Sequence, residues 1–239
     1  MNMTRRDFLG TSATVLASTA IGRPIRSSIG SRMYREGDTP LYDSEVEYLE
    51  STGTQYIYIP INVYVSWFEF SLRVRFTRIP TTTYFGTGYT TSLPRQFFYA
   101  LSSNASNGLY MSFNGTTDIA RNVAASKLDW HEAKAYTENG KSLYFIDGMD
   151  IAQYNFTPFN IEFFGIFCIA NPLGKISGNI GGQQISACAL HTNWKPIFDM
   201  ISVRFTNEKN QSEGAMYDRV SGQLFRNQGT GSFIIGPDV

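Results

Sequence analysis

The sequence predicts an all-β fold of two antiparallel sheets packed face to face, and three observations carry that prediction. Apolar residues recur with period two: between Trp67 and Phe76, the residues Phe68, Phe70, Leu72, Val74 and Phe76 alternate with Trp67, Glu69, Ser71, Arg73 and Arg75. Such a strand buries one face and wets the other. Gly, Asn, Asp and Pro break the pattern at intervals of about 8 to 12 positions, the spacing of a sandwich. The composition, with 18 Phe, 14 Tyr and 3 Trp, suits half-buried pleated surfaces better than helices.

Taken in order, strands are expected at Val46–Leu49, Gln55–Ile59, Trp67–Phe76, Tyr84–Thr87, Gln96–Ser102, Leu109–Phe113, His131–Thr137, Ser142–Asp147, Ile161–Ala170, Gln184–His191, Phe198–Thr206, Ala215–Asp218 and Gln223–Asn227. No segment carries a helical stripe. Asn114-Gly115, Asn139-Gly140, Asp147-Gly148 and Ser221-Gly222 lie between such runs and have the chemistry of tight hairpin turns.

Ahead of this region, Thr4-Arg5-Arg6-Asp7-Phe8-Leu9 resembles the twin-arginine export motif, with Arg5, Arg6, Phe8 and Leu9 in place and Gly10 where Lys is common. The weakly apolar run Thr11–Ile21 and the small residues Ser18-Thr19-Ala20 follow in the order of a cleaved leader. The expected organisation is a signal peptide at 1–20, a flexible linker rich in Gly, Ser and Pro at 21–40, and one β-sandwich domain at 41–239. The leader implies export to the periplasm, the extracellular space or the cell surface. No cysteine precedes Cys168, so no lipid anchor is expected after the leader.

Charge narrows the partners. The chain is neutral overall, but Arg5, Arg6, Arg23, Arg26, Arg32 and Arg35 stand in the first 38 residues, which leaves the sandwich mildly acidic. A basic stripe that tracks phosphates is not expected, and nucleic acid is excluded as a partner. No run of 18 apolar residues exists to form a transmembrane segment.

The segment from Asp129-Trp130-His131-Glu132-Ala133 through Asn139-Gly140-Lys141-Ser142-Leu143-Tyr144-Phe145-Ile146-Asp147-Gly148 resembles the paired strands of laminin-G-like and concanavalin A-like jelly-roll domains. Two further segments are similar to a bacterial and phage secreted subgroup of them. These are Glu47-Tyr48-Leu49-Glu50-Ser51-Thr52-Gly53-Thr54-Gln55-Tyr56-Ile57, and Met216-Tyr217-Asp218-Arg219-Val220-Ser221-Gly222-Gln223-Leu224-Phe225 with Gly229-Thr230-Gly231-Ser232-Phe233. The resemblance spans 42–239. It implies a jelly roll that binds sugars or proteins on a sheet face or on rim loops, and it says little about activity because the motifs are structural.

Catalytic constellations are not evident. Glycosidases of this fold place two carboxylates about 5 to 9 Å apart, and the Glu-x-Asp-x-x-Glu strand motif is missing. Glu45, Glu47 and Glu50 form the nearest cluster, but unlike parity would put Glu47 and Glu50 on opposite sides of one strand. Only His131 and His191 are available, too few for a three-histidine zinc site, and no Gly-x-Ser-x-Gly elbow is present. His131 is expected to pack or lie at the surface. No cofactor is required; Asp147 and Asp150 bracket Gly148 as turn residues, and a weak calcium site built from these two carboxylates with carbonyls is the alternative reading. Cys168 and Cys188 lie on predicted strands, where a disulfide and two buried thiols are both open.

Aromatic residues give the ligand hint, because sugar rings stack on Tyr or Trp while polar neighbours take the hydroxyls. Alternation in Leu109–Phe113 sets Tyr110 apart from Leu109, Met111 and Phe113, and Tyr84 and Tyr89 lie in the Thr-rich stretch at 81–91. The sequence therefore reads as a non-catalytic binding module for a glycan or an extracellular protein partner. A structural or adhesion protein without a sugar site, and a divergent glycoside hydrolase, are the alternatives.

Overall fold

The structure, a computed structural model, describes residues 41–77, 129–170, 176–177 and 181–239, and the backbone of four strands between 81 and 121. The expected leader and linker lie outside the described residues.

Strands follow one another as β1 (Ser44–Glu45), β2 (Leu49–Ser51), β3 (Ile57–Val65), β4 (Phe68–Phe76), β5 (Thr81–Gly86), β6 (Phe98–Ser103), β7 (Leu109–Ser112) and β8 (Asp118–Arg121). Then come β9 (Trp130–Glu138), β10 (Lys141–Ile146), β11 (Met149–Asn155), β12 (Phe159–Ile166), β13 (Ile169–Ala170) and β14 (Ile176–Ser177). The last are β15 (Gln183–Thr192), β16 (Lys195–Thr206), β17 (Ser212–Asp218), β18 (Gln223–Arg226) and β19 (Ile234–Ile235). The protein is all-β with antiparallel pairing, as the period-two pattern requires.

One sheet runs β11-β10-β9-β4-β15-β16-β17-β18, with β1 on β16 and β2 between β15 and β19; the other runs β3-β12-β5-β6-β7-β8. The core lies between them. Phe164 of β12 packs against Phe70 of β4 at 5.6 Å and Phe198 of β16 at 5.1 Å between ring centroids. Every second residue of β4 from Phe68 to Phe76 is buried. Each such side chain contributes about 1.5–3 kcal/mol of transfer free energy, which is why this strand sits mid-sheet.

Several boundaries differ from expectation, for identifiable reasons. The strand expected at Val46–Leu49 is split: Val46 bridges Asp238 and donates its amide hydrogen to the Ser202 carbonyl at 3.0 Å, beside β1, and strand pairing resumes at Leu49 on β15. The strand expected to stop at Ile59 runs through Pro60 to Val65, because it is an edge strand with a register shift near that proline. Met149–Asn155, which the expected strand bounds omit although Asp147-Gly148 reads as a hairpin turn between two strands, completes that hairpin. The strand expected at Ile161–Ala170 breaks after Ile166, where Phe167 takes φ 62°. A bulky residue there is strained, but Phe167 is 0% exposed and packs on Phe233 at 5.1 Å, so burial offsets the cost.

The Gly229-Thr230-Gly231 motif acquires a steric reason. A Cβ on Gly229 would stand 1.8 Å from the Thr54 carbonyl oxygen, which accepts the Thr230 amide hydrogen at 3.2 Å. The C-terminal segment thus lies against the loop after β2 at a distance only glycine permits. Gly229→Ala should lower stability by about 2–3 kcal/mol in urea denaturation, because the clash is with backbone and no side chain can move aside.

Candidate functional site

Three two-residue hairpin turns in the described structure place both central residues at positive φ, the geometry that matches strand twist. Two have the expected composition: Asn139-Gly140 at 48° and 73°, and Asp147-Gly148 at 51° and 77°. The third joins β15 to β16 through Asn193 at 49° and Trp194 at 65°. Trp194 thus occupies the place that glycine fills in the other two. A left-handed conformation costs a residue with a Cβ about 1–2 kcal/mol. Trp194 is 78% exposed, so burial cannot repay that cost as it does at Phe167.

The turn is held rigid by its neighbour in sequence. Asn193 Oδ1 accepts hydrogen bonds from Ser66 N at 2.9 Å, Ser66 Oγ at 2.7 Å and Trp67 N at 3.3 Å. Asn193 Nδ2 donates to the Tyr64 carbonyl, and Asn193 N donates to the Trp67 carbonyl at 2.9 Å. Ser66-Trp67 is the corner where the chain leaves β3 in one sheet and enters β4 in the other, so a single asparagine ties two sheets and two turns together. The result is a stacked pair: the rings of Trp67 and Trp194 lie 4.1 Å apart and 15° from parallel. Tyr64, whose carbonyl Asn193 holds, is 57% exposed. One indole face of Trp194 is supported from below while its other side meets solvent.

A second constellation lies at the opposite end of β4. Trp130 Nε1 donates to Glu47 Oε1 at 3.2 Å, Gln184 Nε2 donates to Glu50 Oε2 at 2.7 Å, and Thr77 Oγ1 donates to Glu50 Oε1 at 3.0 Å. This corrects the expectation that Glu47 and Glu50 face opposite sides. The chain between them is not a continuous strand, so parity does not carry across it.

Other sequence-predicted positions fall as follows. Tyr84 on β5 pairs with Ala100, and Tyr110 on β7 pairs with Ser102 and Ala120; their side chains, with Tyr89 and the export-signal residues Arg5, Arg6, Phe8 and Leu9, lie outside the described residues. His131 is buried, and its Nδ1 stands 2.8 Å from Asp147 Oδ2, whose other oxygen accepts the Glu132 amide hydrogen at 2.9 Å. Asp150 accepts from Gln153 Nε2 at 3.0 Å. The two aspartates that bracket Gly148 are therefore engaged separately, and no group of three or more metal-ligating side chains occurs among the described residues.

Cys168 and Cys188 are free and buried, so of the two arrangements open in the sequence the structure has the thiols and not the disulfide. Cys188 points into the core from β15, whereas Cys168 Sγ lies 3.9 Å from the Ile57 carbonyl oxygen beside β3. Burial pushes the Cys168 thiol up to about 12. Burial raises Cys188 further, and the nearby charges of Asp199 and Asp218 add to it.

No protein-family model matches the chain, and no curated protein matches it. Solved structures do. A native heptameric SAP-like pentraxin from Limulus polyphemus superposes with a TM-score of 0.52 at 10% identity, over 82% of this chain and 96% of that chain. A Bacteroides ovatus protein whose carbohydrate binding is itself inferred gives 0.52 at 12% identity, over 80% of this chain. This chain covers 60% of that protein's length. The LG4-5 domains of the mouse laminin alpha1 chain give 0.46 at 13% identity, over 67% and 45% of the two chains. The chain is a jelly-roll β-sandwich.

On the jelly roll the Trp67–Trp194 pair was the feature missed in the sequence, although a signal was present. Thr192-Asn193-Trp194-Lys195 lies between two strong strands and begins a two-residue loop with Asn, but Trp is no turn residue and masked the hairpin. Asn193→Ala should cost about 2 kcal/mol in thermal or urea unfolding, since several amide and hydroxyl partners lose their acceptor together. With both thiols held far above neutral pH, Ellman's reagent at pH 8 should find no fast-reacting cysteine in the folded jelly roll and both after unfolding.

Proposed function

We propose that this protein is an exported, non-catalytic binding module that takes a glycan on the solvent face of Trp194. The observation that carries the reading is the exposed indole held at positive φ where a glycine would be free of strain. Conformational strain without a compensating burial points to a role outside folding. Stacked indoles suit the apolar face of a sugar ring, and the Ser66 hydroxyl and Lys195 ammonium at the same corner can serve its hydroxyls.

A protein partner fits less well. The large apolar side chains exposed among the described residues, including Leu41, Met149, Ile234 and Val239, come from separate elements and not from one stretch of sheet. A stable protein interface buries about 800 Å² per partner around a contiguous centre, whereas one indole pair matches a ligand of a few sugar rings. Hydrolysis also lacks support: Glu47 and Glu50 are committed to Trp130, Gln184 and Thr77. Export is read from the leader alone, and no helix among the described residues is long and apolar enough to cross a membrane.

The test separates binding from folding. Trp194→Gly removes about 0.5–1.5 kcal/mol of ring stacking and relieves about 1–2 kcal/mol of backbone strain, so its melting temperature should stay close to that of the parent. On a glycan array, the parent chain should retain a saturable ligand and Trp194→Gly should lose it at least tenfold, as expected for a central aromatic anchor worth about 2 kcal/mol. Undiminished binding by Trp194→Gly would place the site elsewhere.

A further inference from the structure

The platform does not stand alone on its side of the sheet. Trp67 begins a line of half-buried side chains, Trp67, Glu69, Ser71, Arg73 and Arg75, on the face of β4 turned away from the core. At about 3.3 Å per residue this line is roughly 26 Å long. Its middle is lined by small side chains, since Ser71 lies opposite Ala189 and Arg73 opposite Ala187 on β15.

Its far end is cationic and aromatic. The guanidinium carbons of Arg73 and Arg75 lie over the Trp130 ring, 5.2 and 4.8 Å from its centroid, and Arg75 also lies 5.5 Å from the Tyr48 centroid. Arg75 Nε donates to Gln184 Oε1 at 2.7 Å. Arg73 makes no hydrogen bond or ion pair among the described residues, and neither guanidinium has a carboxylate partner there. The nearby acids are used otherwise: Glu47 accepts from Trp130, and Glu50 accepts from Gln184 and Thr77. Glu132, the cross-strand neighbour of Arg73, is exposed and forms no ion pair with it.

A guanidinium stacked on an aromatic ring has its plane fixed before any ligand arrives, and its free N–H edge matches the paired oxygens of a carboxylate or sulfate. Structural arginines would be expected to pair with one of the acids around them. These two do not.

We infer that the outward face of β4 binds an anionic glycan, whose carboxylate or sulfate groups sit on Arg73 and Arg75 while another ring of the same chain rests on Trp194. The inference rests on the glycan reading above and adds the charge of its ligand. Glu69, ion-paired with Lys134 at 2.8 Å, divides the lane into an aromatic and a cationic end, so one ligand must be several rings long to touch both.

Titration calorimetry on the full chain tests this with three probes: an oligogalacturonate, its carboxyl-reduced neutral counterpart, and a sulfated galactan oligosaccharide. The parent should bind an acidic probe at least about tenfold more tightly than the neutral one, with affinity falling as salt rises from about 0.05 to 0.3 M. R73Q/R75Q should erase that preference and leave the neutral probe unaffected. R73K/R75K keeps the charges and stems but not the planar forks, and should lose at least about threefold, which serves if the glutamine variant fails to fold. The carboxylate and sulfate arms identify which acid the site takes. Equal binding of acidic and neutral probes, or arginine variants within twofold of the parent, would overturn the inference while Trp194-dependent binding of the neutral sugar kept the platform reading. Binding of no probe, with no effect of W194G, would remove both.

Discussion

Phe68, Phe70, Leu72, Val74 and Phe76 leave the same side of β4, and the placement of the outward-facing residues follows from their exclusion from water. A shift of one residue in register would expose all five and bury Glu69, Arg73 and Arg75 instead, at a cost of many kcal/mol. The strand is therefore pinned between β9 and β15, and with it the order in which Trp67, Glu69, Ser71, Arg73 and Arg75 meet solvent. The side chains proposed to bind on the outer face take their places as a by-product of hydrophobic alternation on the inner one. The same logic explains why Ala187 and Ala189 come to line the lane: β15 must keep Ile185, Cys188 and Leu190 in the core, and the residues between them can be small.

Asn193 plays the complementary part at the end of the strand. Its carboxamide serves the backbone of the β3–β4 corner in place of the sheet ladder that stops there, and its own positive φ is one that asparagine tolerates. Trp194 has no such tolerance and persists because the turn around it is over-determined by those bonds and by the register of β15 with β16. Phe167 shows the contrast within the same molecule. Both aromatics occupy left-handed backbone, but one is sealed against Phe233 and the other meets solvent, so only the second leaves its strain without a folding benefit.

How much of this could be read from the sequence depended on whether local rules or distant contacts decided each position. The β4 alternation, the Asn139-Gly140 and Asp147-Gly148 hairpins and the antiparallel two-sheet architecture were legible because period-two burial and turn chemistry are local, whereas the jelly roll was implied by the resemblance that 129–148 carries. Pro60 misled because edge status is a property of the sheet and not of the strand. Parity misjudged Glu47 and Glu50 because the pairing changes partner between them, from β16 for β1 to β15 for β2. Of the tyrosines that suggest sugar stacking, Tyr110 follows from alternation within one strand and Tyr84 and Tyr89 from a Thr-rich stretch, both local signals. The stacked tryptophans come from segments more than a hundred residues apart, a juxtaposition that only the closed fold creates.

Both ends of the outer face share a design in which the side chains proposed to bind are already ordered by contacts with neighbouring aromatic rings. Trp194 rests on Trp67, and the two arginines rest on Trp130, itself fixed by Glu47. Ordering a long side chain on binding costs about 0.5–1.5 kcal/mol, so aromatic support at each contact removes a penalty that exposed arginines and loop aromatics ordinarily bear. A rigid strand joining two pre-ordered contacts also fixes the distance between them. That favours a stiff, extended ligand over a compact one, because a flexible chain would surrender entropy to span the same separation and a short one would leave one end of β4 unused.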